Sequence, residues 1–136
     1  MVHNRTIQVS TEPDGIYNIS EQLEKFVSDI GAKDGALMVF AVGSTCGITT
    51  IEFEPGLKKD FPEMLERIAP KGKYSHDATW GDGNGHAHLR SAIVGTSLTV
   101  PVVNGAIATG TWQQVVLCEF DNRSRSRKVI LMFIGE

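Results

Sequence analysis

The residues of this sequence best able to do chemistry are gathered between positions 76 and 88. His76, His86 and His88 are three of the four histidines in the chain, and Asn84 lies among them. Imidazole is both a common metal ligand and the side chain best suited to carrying protons near neutral pH. What His86-Ala87-His88 can do depends on the local backbone. In a strand, residues two apart point the same way with Cα atoms roughly 6 to 7 Å apart, so that two imidazoles can share one ion. In a helix they diverge by about 200°, and the better-matched pair is Asn84 with His88, four apart on one face. A helix is predicted from about 86 to 94, which makes His86 a supporting or alternative ligand. His76 precedes it in a glycine-punctuated stretch able to fold back and deliver a third group. Histidines in loops and caps also hydrogen-bond the backbone with no further role, and the residue types leave both readings open.

Two other groups have chemical potential. Gly110-Thr111-Trp112-Gln113-Gln114 leads into a strand ending at Cys118-Glu119; its structural role would be a tight turn, a packing ring and ladder amides. Arg123, Arg125 and Arg127 alternate, giving either a one-sided basic strip suited to phosphate or carboxylate or a solvated hairpin tip. Gly81, Gly83 and Gly85 do not form a nucleotide loop, because the spacing is not GxGxxG and no Gly-Lys-Ser/Thr follows. No Ser-His-Asp or Cys-His nucleophile motif is recognisable.

These groups must be held by the surrounding elements. Ile7 and Val9 alternate with polar neighbours over 5–10 as in a half-buried strand, and Glu12-Pro13-Asp14-Gly15 supplies a turn before a second strand. Leu23, Phe26, Val27 and Ile30 recur at helical spacing between a Ser20 cap and Gly31. The apolar run 35–42 predicts a central strand buried on both faces. The β-branched run 48–53 predicts a strand with Glu52 at its end. After Pro55-Gly56, Asp60 and Glu63 suggest a capping box for a helix that Pro70 ends. Residues 70–85 read as a long loop, and long ordered loops are often functional. The helix over 86–94 would have Asn84 as its cap and turn Leu89 and Ile93 inward. Asn104-Gly105 fits a type I′ hairpin between strands 97–103 and 106–109, and strands 113–120 and 128–134 complete the chain. The expectation is an α+β fold, a β-rich antiparallel sheet or sandwich with about three helices, forming one domain over 1–136.

Bulk properties narrow the classes. A net charge of −3 and a pI near 5.8 argue against nucleic-acid partners, which call for a broad basic face. No apolar run approaches the roughly 20 residues of a membrane helix, and no apolar segment follows Arg5 as in a secretory signal. A cytoplasmic protein without membrane partners is expected. Cys46 and Cys118 sit in apolar strand contexts, as buried reduced thiols would.

Taken together, YSHDATWGDGNGHAHLRSAIVGTSLTVPVVNG and the later GTWQQVVLCEFDNRSRSR resemble the YjbQ-like family, also called the secondary thiamine-phosphate synthase family. The order and spacing of Asn84, His88, Leu89, Gly95, Ser97, Pro101, Gly105, Gly110 to Gln113 and Glu119 carry the resemblance, which spans essentially the whole chain. It implies a homotrimer with a polar pocket near subunit contacts that holds a divalent metal ion, zinc or magnesium. His76 matches the histidine of the family's Tyr-x-His-Asp stretch, Asn84 its Asn/Asp position and His88 its His-hydrophobe pair. Glu52 matches the acidic residue closing an early Thr-rich strand, and Thr111, Gln113 and Glu119 match the Thr-Trp-Gln strand. The expected roles are His88, His76 and Glu119 as catalytic groups and Asn84, Glu52, Thr111, Gln113 and Arg125 as substrate contacts. His76, His86 and His88 are the expected metal ligands. One departure stands out: many members carry His-Thr-Thr or His-Thr-Ser where this chain has Gly43-Ser44-Thr45, which removes one ligand that His86 would replace. The resemblance implies a transferase that joins hydroxymethylpyrimidine diphosphate to thiazole phosphate with release of pyrophosphate. The alternatives are a non-catalytic metal or small-anion binding trimer, or a metal-assisted hydrolase of a small phosphorylated metabolite.

Overall fold

The computed structural model describes residues 1–136. In chain order its elements are β1 (Val2–Thr11), β2 (Ile16–Asn18), α1 (Ser20–Asp29), β3 (Gly35–Ala41), β4 (Cys46–Ile51), α2 (Pro55–Ile68), α3 (Ser75–Trp80), α4 (Gly85–Val94), β5 (Ser97–Val103), β6 (Ala106–Ile107), β7 (Gln114–Glu119) and β8 (Arg125–Gly135). The fold is α+β and β-rich, as expected. A five-stranded antiparallel sheet has the order β1-β8-β3-β5-β6, and a three-stranded one the order β2-β7-β4. The turn after β1, with Asp14 at φ 62°, carries the chain from the first sheet to the second, so the two opening strands pair with β8 and β7 and not with each other.

Period-two alternation places the core. Ile7 and Val9 of β1, Leu37 and Val39 of β3, Val129, Leu131 and Phe133 of β8, and Val115 and Leu117 of β7 all face the space between the sheets. Leu23, Phe26 and Val27 of α1 pack into the same cluster. The other face of the small sheet is covered by α2 and α4, where Leu65 and Ala87 meet Val116, Cys118 and Phe120. The outer face of the large sheet has no such layer. Met38 and Phe40 on β3 are therefore 37% and 45% exposed, against the expectation that this apolar strand is buried on both sides. Both hairpin residues, Asn104 at φ 51° and Gly105 at φ 82°, adopt the positive φ that a type I′ turn needs.

Several boundaries differ from the sequence expectations for identifiable reasons. Helix α2 begins at Pro55 because the Glu54 carboxylate accepts from the amides of Gly56 and Leu57, at 2.9 and 2.6 Å; Asp60 and Glu63 lie inside it, not at its cap. Ile19 occupies the cap position of α1, and Ser20 Oγ instead accepts from the Val115 amide at 2.9 Å. The stretch 70–85 contains α3, a fourth helix, started by Asp77 Oδ2 accepting from the Tyr74 amide at 3.1 Å and stopped at Gly81 with φ 71°. Helix α4 is rotated from its expected orientation. It buries His86, Ala87, Arg90 and Ser91, while Leu89 and Ile93 are 45% and 59% exposed. Small Ala87 admits close approach of α4 to the small sheet, and Ser91 Oγ donates to the Cys46 carbonyl of β4 at 2.6 Å, so polar anchoring and small size set this face.

Candidate functional site

The site grows from a polar plug at one end of the core. Thr11, Glu119 and Arg127 lie in phase with the inward residues of β1, β7 and β8. Arg127 Nε and Nη2 donate to the two oxygens of Glu119, at 2.8 and 2.5 Å, and Nη2 also donates to Thr45 Oγ1 at 2.7 Å. Thr11 Oγ1 donates to Glu119 Oε1 at 2.6 Å. Thr45 carries the network outward by donating to Asp121 Oδ2 at 3.1 Å. Asp121 also receives Arg125 Nη2 at 2.5 Å, the Asn122 amide at 2.8 Å and Asn84 Nδ2 at 3.3 Å. Burial alone would raise the Asp121 pKa, but these donors outweigh it and bring it down to about 2.

At the outer end of this chain of contacts, Asn84 Oδ1 lies 3.0 Å from His76 Nε2, and Asp82 Oδ1 lies 3.3 Å from the same nitrogen. The His76 and His88 rings lie with centroids 4.3 Å apart at 53°. His76 comes from α3, Asn84 from the cap position of α4 and His88 from the first turn of α4, so folding 70–85 back as a helix is what joins them. His88 also borders a cleft of about 360 Å³ with Gly43, Ser44, Ser91, Ala92, Gly95 and Thr96. Ligands about 2.0 to 2.2 Å from one ion at tetrahedral or right angles stand roughly 2.8 to 3.6 Å apart. The separations of Asn84 Oδ1 and Asp82 Oδ1 from His76 Nε2 fall in that interval, which is also that of ordinary hydrogen-bond contacts, and nitrogen and oxygen donors of these types are ones a divalent ion accepts. Asp77, though close by, already accepts from the Tyr74 and Gly85 amides and serves the local backbone.

Residues 5–136 match the family described as UPF0047 protein YjbQ-like. The chain belongs to the YjbQ-like family. It is 38% identical over 117 residues to a UPF0047 protein of Archaeoglobus fulgidus, covering 85% of this chain and 88% of that one. It is 33% identical to the YugU protein of Bacillus subtilis, covering 96% of this chain and 98% of the relative. A solved YjbQ/UPF0047 structure from Clostridium acetobutylicum superposes with a TM-score of 0.83 at 34% identity, covering 94% of this chain and 99% of that one. A YjbQ-like family structure from Sulfolobus solfataricus, described as of unknown function, gives 0.89 at 26% identity with both chains covered in full.

Within this YjbQ-like fold the expected site residues separate into groups. His76, Asn84 and His88 come together. Glu119, expected as a catalytic group, is 1% exposed and bound to Arg127, Thr11 and the Asp121 amide. Arg125, expected to meet substrate, holds Asp121. Glu52 falls beyond the end of β4, exposed and with no side-chain hydrogen bond, because the strand stops at Ile51. Thr111 and Gln113 lie on the turn before β7; Gln113 donates to Thr50 Oγ1 at 3.2 Å and lines a separate cleft of about 370 Å³ between β4 and β5. His86, expected as the compensating ligand, points the other way: it is 2% exposed, with both ring nitrogens unpartnered. Burial, aided by Arg90 and Lys71, pulls its pKa down.

At Gly43, where the resemblance led to the expectation of a histidine, a Cβ would lie 2.7 Å from Arg127 Nη1 and 3.3 Å from Cys46 Sγ. Arg127 fills the space beside it. Sequence reasoning passed over Asp82, Asp121 and the inward role of Arg127. The last was signalled by its phase with Val129, Leu131 and Phe133 on a period-two strand.

Proposed function

We propose that the chain binds a divalent metal ion through His76, His88, Asn84 and Asp82 and receives a small phosphorylated metabolite in the adjoining cleft. The spacing of His76 Nε2 from Asn84 Oδ1 and Asp82 Oδ1, 3.0 and 3.3 Å, carries this reading. A bound ion would act there as a Lewis acid on a phosphoryl oxygen. His88 at the cleft wall would orient the ligand, and Ser44, Ser91 and Thr96 offer hydroxyls to it. The reaction implied by the family resemblance is the thiamine-phosphate synthase-like transfer of a hydroxymethylpyrimidine to thiazole phosphate. The apolar outer face around Met38 and Phe40, together with exposed Leu89 and Ile93, supports assembly as a homotrimer.

One observation favours a second reading, a metal or small-anion binding module without turnover. Arg125 and Arg127 are each paired with a carboxylate and leave no guanidinium on the cleft wall, whereas a departing diphosphate calls for several cationic or amide donors. The test is elemental analysis of protein purified without chelator or affinity-tag metal, followed by incubation with both substrates. Metal at one ion per chain with thiamine phosphate formed supports the transferase; metal with no product supports the binding module. Protein that remains metal-free after incubation with zinc, manganese and magnesium salts overturns both.

A further inference from the structure

We infer that Asp121 is the positioning residue of the site: by holding the amide of Asn84 in one orientation, it fixes which ring nitrogen of His76 carries the proton. A carboxamide has a donor end and an acceptor end, and nothing in its own shape decides which faces His76. Asp121 decides it. An ionised carboxylate only accepts, and Asp121 is 1% exposed and held by Arg125 Nη2, Thr45 Oγ1 and the Asn122 amide, so it cannot turn away. The NH2 end of Asn84 must therefore face Asp121, at 3.3 Å, and Oδ1 must face His76 Nε2, at 3.0 Å. An oxygen acceptor at that distance requires a proton on Nε2 in the neutral ring, leaving Nδ1 as the bare nitrogen. Asn84 is itself 5% exposed, so water does not compete for either end of its amide.

The same orientation matters to the metal reading. An ion taken up by Nε2 displaces the ring proton to Nδ1, so the Nε2–H tautomer belongs to the ion-free protein; what Asp121 supplies in both states is Asn84 Oδ1 turned toward His76 Nε2, and groups that orient ligands from behind are commonly worth about 10 to 100-fold in metal affinity. That part of the inference rests on the proposed metal site; the tautomer does not. Asp82 supplies a rival explanation, since its carboxylate lies 3.3 Å from Nε2 and would also favour a proton there. It is half-exposed, however, and free to move into water.

The test is long-range nitrogen–proton correlation NMR of the His76 ring at mildly alkaline pH on metal-free protein, in the wild type and in Asp121→Asn, Asn84→Leu, Thr45→Val and Asp82→Asn. In Asp121→Asn the remaining carbonyl oxygen stays with Arg125, its new NH2 confronts the NH2 of Asn84, and the Asn84 amide turns over. The expected result is a wild-type ring protonated at Nε2, a shift toward Nδ1 protonation in Asp121→Asn, and loss of a single tautomer in Asn84→Leu. Thr45→Val, which removes a bond to Asp121 but not its charge, and Asp82→Asn are expected to keep the wild-type pattern. Should Asp121→Asn fail to fold, Asn84→Leu still decides the matter. A wild-type ring protonated at Nδ1, an Nε2 tautomer that persists in Asp121→Asn or Asn84→Leu, or one lost in Asp82→Asn alone overturns the inference. Metal titration of the same proteins separates the two readings: a wild type that binds no ion removes the metal site while the tautomer result stands, and a folded Asp121→Asn protein with wild-type metal affinity removes the link between them.

Discussion

Arg127 grips both carboxylate oxygens of Glu119 from within the core, Nε at 2.8 Å and Nη2 at 2.5 Å, with the two side chains 7% and 0% exposed. A desolvated bidentate pair is costly to break from one side only, because the survivor is left charged and unpaired. Glu119→Gln is therefore expected to lower the unfolding free energy by about 3 to 5 kcal/mol, whereas the double replacement Glu119→Leu with Arg127→Met loses much less. Urea unfolding of the three proteins measures this. A Glu119→Gln protein with wild-type stability but altered ligand handling would return Glu119 to the chemistry of the site.

That pair also shows where reading the sequence succeeds and stops. Residues 113–120 and 128–134 were legible as apolar strands, and in the fold their alternate residues Val115, Leu117, Val129, Leu131 and Phe133 form part of the core. The same alternation carries Glu119 and Arg127 inward, yet charged residues at those positions read as a strand end and a solvated tip, because their partner lies on another strand and sequence does not reveal pairing. His76, Asn84 and His88 were legible as a cluster from spacing and resemblance. Asp121 and Asp82 were not, since nothing local distinguishes a carboxylate that orients an amide from one in an ordinary turn. The rotation of α4 was missed for a related reason: Leu89 and Ile93 satisfied the apolar period, but Ala87 and Ser91 made the closer contact with the sheet.

The cysteines give an alkaline signature. Cys46 lies opposite Glu119 and Gly47 opposite Cys118, so the two thiols point to opposite faces of the small sheet and do not pair. Burial raises both thiol pKa values, that of Cys118 to about 12 from an ordinary 9.0. As pH rises above the ordinary value the unfolded chain ionises and the folded one does not, so stability is full below about pH 9 and falls toward pH 12, by about 4 kcal/mol at most for Cys118. Cys118→Val is expected to flatten this fall in thermal melts across that range. A wild-type melt independent of pH there would contradict the assignment.

The uncovered face of the large sheet yields a prediction about assembly. Met38 and Phe40 are apolar, exposed and centrally placed on β3, flanked by β8 and β5, which is the arrangement expected of a surface covered by another subunit. The wild type is expected to sediment as a trimer at micromolar concentration, and Phe40→Asp to shift it to monomer while retaining its circular dichroism. A wild-type monomer, or a Phe40→Asp trimer, would remove this face from the assembly.

The histidines separate the proposed metal site from its surroundings. His76 and His88 face each other with ring centroids 4.3 Å apart, and His76 Nε2 lies 3.3 Å from Asp82. His86 is buried away from them with neither ring nitrogen bonded. His88→Ala, His76→Ala and Asp82→Asn are each expected to weaken metal binding by at least about tenfold, the lower end of what even ligand-orienting groups contribute. His86→Phe removes two unsatisfied nitrogens from an apolar setting and substitutes a ring of the same general shape. Since an unpaired buried polar group costs about 1 to 3 kcal/mol, this variant is expected to be as stable as the wild type or more so, with unchanged metal content. Parallel metal titration and thermal unfolding of the four variants check both halves. Loss of metal in folded His86→Phe protein would mean that His86 does compensate for Gly43, and that α4 presents a different face to the ion from the one its packing on β4 requires.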